Sequence, residues 1–303
     1  MISTYEHWKY KLRVFAGLTL HYLGQYRNLL PRWCPNPSKL QQRLRDYLSH
    51  YYRNITKAEV IIEIPELGGE FCCDLRDHML EPYVWGEKDI YEIKEINYFR
   101  KQLKSGDYIV DIGANHGFWG ISLGQSTSSA KIYLLEANPE LIRRLKKTTR
   151  LKPKLPIQIL PYAITDGEIK EIEFYLPVDN LSGLGSIVLH RVADENGYLK
   201  IDQKTTVPAR SLDQLWQSDQ LQGMDLVKID VEQAEDSVIR GGLQVIKKFL
   251  PRLIMVETSN QSWAFQQLLQ IGYETFCLDV TGNEIEVPNE YFWGNIFFRW
   301  HKV

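Results

Sequence analysis

The chain has 303 residues, 44% of them hydrophobic and 24% charged, with 36 Lys and Arg against 38 Asp and Glu for a formal net charge of -2. That composition buries a full core in one large domain with an appendage, and it gives no global attraction to nucleic acid. Four cysteines, Cys34, Cys72, Cys73 and Cys277, include no C-x-x-C pair, so no zinc site is expected and reduced thiols in a cytoplasmic protein are the plain reading.

The first 57 residues differ from the remainder, with ten Lys or Arg against two acids, a local excess of +8. Tyr5 to Leu30 carries Trp8, Leu12, Phe15, Leu18, Tyr22 and Tyr26 at helical spacing, but Arg13 and His21 interrupt it, so it is neither a transmembrane span nor a signal peptide. A basic amphipathic helix of this kind either lies on an anionic membrane or forms a cap that packs on the following domain; the cap is the preferred reading. Pro31, Pro35 and Pro37 separate it from a second helix, Ser38 to Tyr52.

Glu59 to Ile64 and Glu70 to Leu75 read as strands of a hairpin joined through P-E-L-G-G, with the neighbouring Cys72 and Cys73 facing opposite ways. Ile90 to Lys104 comes next, with Ile93, Ile96, Phe99 and Leu103 on one helical stripe.

Tyr108 to Gly120, YIVDIGANHGFWG, then reads as strand, tight turn and helix. Its β-branched run suits burial on both faces of a parallel sheet, and Asp111 ends the strand at the edge where open α/β sheets bind ligands. Gly113 and Gly117 are expected to let a ligand lie against the main chain, near the free N–H groups of a helix starting close to His116. The turn is D-x-G-x-x-x-G, which has neither the second glycine of a dinucleotide fingerprint nor the lysine of a P-loop. A strand KIYLLEANP succeeds it, and its Glu136, 25 residues after Asp111, stands where a carboxylate accepts hydrogen bonds from ribose hydroxyls. A cofactor with a ribose but no pyrophosphate fits both features. The blander reading of Asp111 is a cap on the next helix.

The alternation continues with a helix at Glu140 to Arg150, a strand at Ile157 to Pro161, and an antiparallel pair, Ile169 to Leu176 with Thr205 to Val207. Between the last two lies NLSGLGSIVLH, 180 to 190, read as part of a lid or substrate wall. Leu226 to Asp230 and Leu253 to Glu257 are the fourth and fifth core strands, and Tyr273 to Val280 with Asn295 to Trp300 closes the sheet.

The runs DIGANHG (111 to 117), LLEANP (134 to 139), PYAITDGE (161 to 168), RSLDQLW (210 to 216), VKIDVEQAE (227 to 235) and MVET (255 to 258) occur in the order found in class I S-adenosylmethionine (SAM) methyltransferases, and the chain resembles their FkbM type from about Asp107 to Val303. The resemblance implies a Rossmann-like α/β fold: a mostly parallel seven-stranded sheet with helices on both faces, carrying an N-terminal helical segment and hairpin. The corresponding domains are 1–57, a basic cap; 58–106, hairpin and lead-in helix; and 107–303, the SAM-binding methyltransferase domain. It implies SAM as cofactor, with Asp111, Gly113, Ala114, Asn115, Gly117, Glu136, Ala137, Ala163 and Asp230 around it, and Glu92 from the lead-in helix at its methionine end. The chain departs from the family where Gln233 replaces a usual glycine and Ala137 a usual proline.

The implied activity is O-methylation of a small-molecule hydroxyl in a natural product or sugar. N- or C-methylation and a non-catalytic, membrane-docked module are the alternatives, and neither nucleic acid nor metal is expected. Because a sulfonium methyl is already activated, the enzyme's work is to align the acceptor and, for an alcohol, to take its proton. Asp230 and Glu232 are the expected catalytic acids, Lys228 is expected to neutralise Asp230, and Glu235 to cap the next helix. D-V-E puts Asp230 and Glu232 on opposite faces if the strand continues and together if the chain turns at Val231.

Overall fold

The computed structural model describes residues 59–74, 77, 80, 92–127, 129–177, 185–188 and 201–301. The expected helices of residues 1–57, Cys34 and most of the 180–190 loop lie outside these. The chain divides into two units, 1–60 with 73–91 and 61–72 with 92–303.

The centre of the second unit is an eight-stranded sheet. In chain order the strands are β3 (Tyr108–Ile112), β4 (Lys131–Leu135), β5 (Ile157–Leu160), β9 (Leu226–Ile229), β10 (Leu253–Ser259), β11 (Glu274–Leu278), β12 (Glu284–Ile285) and β13 (Trp293–Arg299), and their spatial order is β12-β11-β13-β10-β9-β3-β4-β5. Strands β10, β9, β3, β4 and β5 run parallel, and β13 inserts antiparallel between β10 and β11. The earlier strands β1 (Glu59–Ile64) and β2 (Gly69–Asp74) form a separate hairpin, while β6 (Ala163–Ile164), β7 (Glu171–Pro177) and β8 (Ile201–Arg210) form a three-stranded sheet in which β7 and β8 are antiparallel.

The sheet has one strand more than the expected seven, because β12 adds a two-residue ladder to β11 that is too short to show an alternating pattern. The strand expected at 205–207 extends over all of β8, and its pairing with β7 breaks register between Leu176 and Pro177.

Helices cover both faces of the sheet: α1 (Ile93–Gln102), α2 (Phe118–Gln125), α3 (Pro139–Arg150), α4 (Leu212–Gln217), α5 (Glu235–Arg240), α6 (Leu243–Phe249) and α7 (Trp263–Ile271). Local chemistry sets their ends. Asn138 caps α3 by accepting from the Glu140 amide, with Pro139 in the first turn where its missing N–H costs nothing. Ser211 and Gln214 form a reciprocal capping box at α4, and Ser262 accepts from the Phe265 amide at α7, which stops at Gly272 in the left-handed region. On one face Phe99 of α1 meets Trp119 of α2 edge-on with ring centres 4.8 Å apart, and Phe297 of β13 lies beneath. On the other, Leu212, Leu215, Val238, Val245, Ala264 and Leu268 seal against Val110, Val227, Ile254 and Phe298. This double cover explains why Ile109, Val110 and Ile112 of β3 are all buried.

At the amino ends of the central strands Arg252 acts as a clamp. One guanidinium nitrogen lies 2.9 Å from Asp225 and the other 2.7 Å from the buried Asp107, whose same oxygen accepts from the Lys104 amide. Asp225 also accepts from the Tyr108 amide, so a single side chain ties the starts of β3, β9 and β10 together. Arg252→Met removes the guanidinium from both carboxylates, leaving their amide donors in place, and is expected to cost about 1–3 kcal/mol. Calorimetric melting checks this, and SAM affinity should be unchanged because the clamp sits at the edge opposite the ligand side; an unaltered melting temperature would show the clamp to be idle.

Candidate active site

The site is built at the carboxyl ends of β9, β3 and β4. Asp111 ends in a buried carboxyl whose Oδ2 accepts from the Gly120 amide in the first turn of α2, 2.9 Å away, so it does cap that helix. Its Oδ1 is buried without a partner, and burial pushes the carboxyl up to about 6 against the opposing pull of Lys228. Glu136, at the end of β4, fastens two turns at once. Its Oε2 accepts from the Asn115 amide at 2.7 Å, and its Oε1 from the amides of Ala137 at 2.9 Å and Asn138 at 2.8 Å. Burial still leaves its pKa raised. A carboxylate has about four acceptor positions, so Oε2 keeps one for a ligand hydroxyl.

The chain's own packing requires both glycines. A Cβ on Gly113 would run into the backbone carbonyl oxygen of Asp230, and one on Gly117 would come within 2.8 Å of the Ile121 and Leu145 side chains. Both residues have positive φ, 78° and 77°. Gly113 lets the turn after β3 pack against the end of β9, and Gly117 lets the start of α2 pack against Leu145 of α3. The amides of Gly113 and Ala114 likewise both donate to Leu135 of β4, so they are not free for an anion. Ala163 lies in an apolar cluster with Phe174, Val207 and Ala209, with Ala137 packed against it; its methyl group is used in that packing.

At β9 the strand ends on Ile229, and the chain turns through two consecutive left-handed residues, Glu232 at φ 58° and Gln233 at φ 76°. For non-glycine residues such angles cost about 1–2 kcal/mol each, and the surroundings hold them. Glu235, which opens α5, accepts from the Val231 amide at 3.1 Å and the Gln233 amide at 3.3 Å, while the Ser186 hydroxyl donates to the Glu232 carbonyl at 2.7 Å. The turn brings Asp230 and Glu232 together. Their carboxylate oxygens and that of Glu257 on β10 lie within 4.8 Å of one another, an arrangement that hard divalent cations accept, although exposed acids often converge without one.

Lys228 projects beside Asp111, its register partner on β3, and makes two ion pairs: 3.2 Å to Asp230, as expected, and 2.7 Å to Glu92. Glu92 precedes α1 with φ 56°, and its other oxygen, Oε1, is buried without a partner. Burial outweighs the ammonium and pushes Glu92 up to about 7, as it also does Glu235. Of six non-glycine residues with positive φ among the described residues, Glu92, Asn115, Glu232 and Gln233 surround this edge. That concentration of strain is a mark of functional sites.

Sequence reasoning missed Glu257 and Ser186. Counting register would have found the first, because Val256 pairs with Ile229 and so the next residue of β10 stands level with Asp230. Ser186 gave no signal beyond its glycine-rich loop.

Comparison with known proteins gives three kinds of likeness. Residues 111–286 match the family model described as the methyltransferase FkbM domain. Over 182 residues, 58% of this chain and 67% of the relative, the sequence is 25% identical to ribosomal RNA large subunit methyltransferase E of Polaromonas sp.. Among solved structures, similar chains include precorrin-6y C5,15-methyltransferase from Geobacter metallireducens (13% identity, TM-score 0.38, 70% of this chain and 90% of that one) and M. jannaschii TYW2 in complex with AdoMet (13%, 0.40, 81% and 86%). A SAM-dependent O-methyltransferase from Thermotoga maritima is similar at 16% identity and TM-score 0.37, over 80% and 77% of the two chains.

Two substitutions at the β3–β9 junction are expected to act in opposite directions on melting temperature. Gly113→Ala drives a methyl group into a backbone carbonyl and should destabilise the protein by several kcal/mol, whereas Gln233→Gly relieves left-handed strain and should stabilise it by up to about 1 kcal/mol. A Gln233→Gly protein that melts lower would refute the strain reading.

The buried acids also set a pH dependence. Glu92, Asp111 and Glu235 bind a proton more tightly folded, at about 7, 6 and 7, than at their ordinary values of 4.5, 3.8 and 4.5. Their contribution to stability is therefore full below those ordinary values and is lost as pH rises through 6 to 7. Asp279, depressed to about 2, acts only at much lower pH. The ligand-free protein should melt higher at pH 6 than at pH 8; a flat or reversed profile would contradict the burial of these carboxyls.

Proposed function

The chain belongs to the FkbM methyltransferase family and uses S-adenosylmethionine, and on that premise we propose that it methylates a hydroxyl oxygen of a small molecule in the cytoplasm. The observation that carries this reading is the convergence of Asp230 and Glu232 beside the cofactor edge. An alcohol must lose its proton as the new bond forms, and a carboxylate there accepts it. The same gathering of acids disfavours a polyphosphate acceptor such as RNA. The cytoplasmic reading is supported by Cys277, a buried free thiol. Among the described residues no helix is long and apolar enough to cross a membrane.

The residues present fit the cofactor. Asp111 Oδ1 and Glu92 Oε1 are buried acceptors without partners, and Glu136 keeps a lone pair for a ribose hydroxyl. When bound, SAM supplies a methyl group already activated on a sulfonium. Glu136, steadied by Asn115 and Ala137, orients the ribose; Ala114, Gly113 and Gly117 fix the turn beneath it. Asp230 and Glu232 face the acceptor, and the Ser186 bond holds the strained turn that aims Glu232. In this reading residues 1–57 are a basic cap, 58–106 the lead-in and 107–303 the catalytic domain. Glu257 stands beside these two acids.

The test is transfer of labelled methyl from SAM to glycosides and phenols, with amines and ribosomal RNA as competing acceptors. Methylation of RNA alone would overturn the small-molecule reading, and methylation of amines alone would overturn the oxygen. With an accepted alcohol, Asp230→Asn and Glu232→Gln should lower kcat by about 10²-fold or more with SAM affinity retained, and EDTA should have no effect. Inhibition by EDTA with rescue by Mg²⁺ would assign the acids to a metal instead. Glu136→Ala should weaken SAM and S-adenosylhomocysteine alike, by about 1.5–3 kcal/mol.

A further inference from the structure

We propose that Glu92 reads the positive charge of the sulfonium, so that the site distinguishes the cationic cofactor from its neutral thioether product. The inference rests on SAM binding at this edge, and it concerns binding rather than the acceptor. Glu92 is nine-tenths buried and reaches strand β9 from the residue before α1, with one oxygen 2.7 Å from Lys228 and the other bonded to nothing. It is held in a left-handed conformation that a glutamate does not favour. The charges acting on it are Lys228 and Asp230 on the sheet edge and Glu95 on its own helix, whose carboxylate is 3.7 Å from Lys94. Lys228 is shared with Asp230 and also acts on Asp111, so one ammonium faces three carboxylates.

The strand order sets two carboxylate groups on either side of β3. Glu136, the ribose-side carboxylate, lies at the end of β4, and the Glu92–Lys228–Asp230 group lies at the end of β9, with β3 between them. The sulfur of SAM is bonded to the ribose C5′, so a cofactor held through its ribose at Glu136 would carry its sulfonium close by, and Glu92 is the carboxylate that would meet it from the β9 side. A carboxylate oxygen without a partner at that place is complementary to a cation. After transfer the sulfur is a neutral thioether, and the same oxygen then faces an uncharged atom and is left unsatisfied. Loss of the charge therefore weakens the grip on the product and favours its exchange for fresh SAM.

Calorimetry at pH 8 with three ligands tests this: SAM, S-adenosylhomocysteine, and sinefungin, which carries an ammonium on carbon in place of the methylsulfonium. All three share the same methionine ammonium and carboxylate. Wild type should bind SAM and sinefungin about tenfold more tightly than S-adenosylhomocysteine, as expected for one charge at close range in a partly buried site. Glu92→Gln should erase that preference by weakening the two cations and leaving the neutral product within about twofold. Equal weakening of all three ligands by Glu92→Gln would overturn the proposal, since it would mean that Glu92 holds the methionine ammonium. So would a wild-type preference for S-adenosylhomocysteine, a result that needs no variant to fold. Failure of all three to bind wild type would overturn the cofactor placement itself, separately from the role of Glu92.

Discussion

The functional edge depends on one buried ammonium. Lys228 sits on a strand covered on both faces, level with Asp111, and is shared between Glu92 and Asp230. Taking these groups out of water is costly, and attraction offsets that cost only in part, as the raised pKa values of Glu92 and Asp111 show. A fold selected only for stability would fill this place with apolar side chains. The charge imbalance therefore makes sense as a site kept ready for a cationic ligand, with binding supplying the compensation that the chain leaves out.

That electrostatic arrangement needs a particular backbone. Gly113 lets β3 approach the Asp230 carbonyl so closely that no side chain fits between them, and this contact fixes where β9 must stop. Beyond it the chain turns through Glu232 and Gln233 in a strained conformation that the Ser186 and Glu235 bonds help to sustain. Close packing at one residue and strain at the next two thus combine to aim two carboxylates at one point. Because Ser186 belongs to the segment facing β7, where its backbone pairs with Tyr175, the acid turn is also coupled to the three-stranded sheet.

Much of this was legible in the sequence, for physical reasons. The strand-turn-helix of β3, the 25-residue spacing to Glu136 and the alternation of core elements are local patterns, and local patterns are what periodicity and turn chemistry report. The glycines were legible as glycines but not in purpose, since a missing Cβ does not reveal whether ligand or backbone occupies the space. Glu92 and Lys228 are 136 residues apart, so no window could join them. The turn at Glu232 was hidden by its own residues: neither glutamate nor glutamine favours left-handed angles, and a local rule broken without local compensation is what a functional site produces.

The two ends of the sheet obey opposite rules. At the amino ends Arg252 satisfies Asp107 and Asp225 with short ion pairs, and the strands there are closed by matched charge. At the carboxyl ends acids outnumber the cation they share, acceptors stay unsatisfied and backbone angles are strained. The same strands carry both conditions, separated by only the four residues of β9. At the carboxyl ends the carboxylates are held by backbone amides and by one shared ammonium, so their geometry is fixed although their charge is not balanced. Stability and function are divided along the strand axis, which is why the residues that hold the protein together and those that do its chemistry are different residues on the same strands.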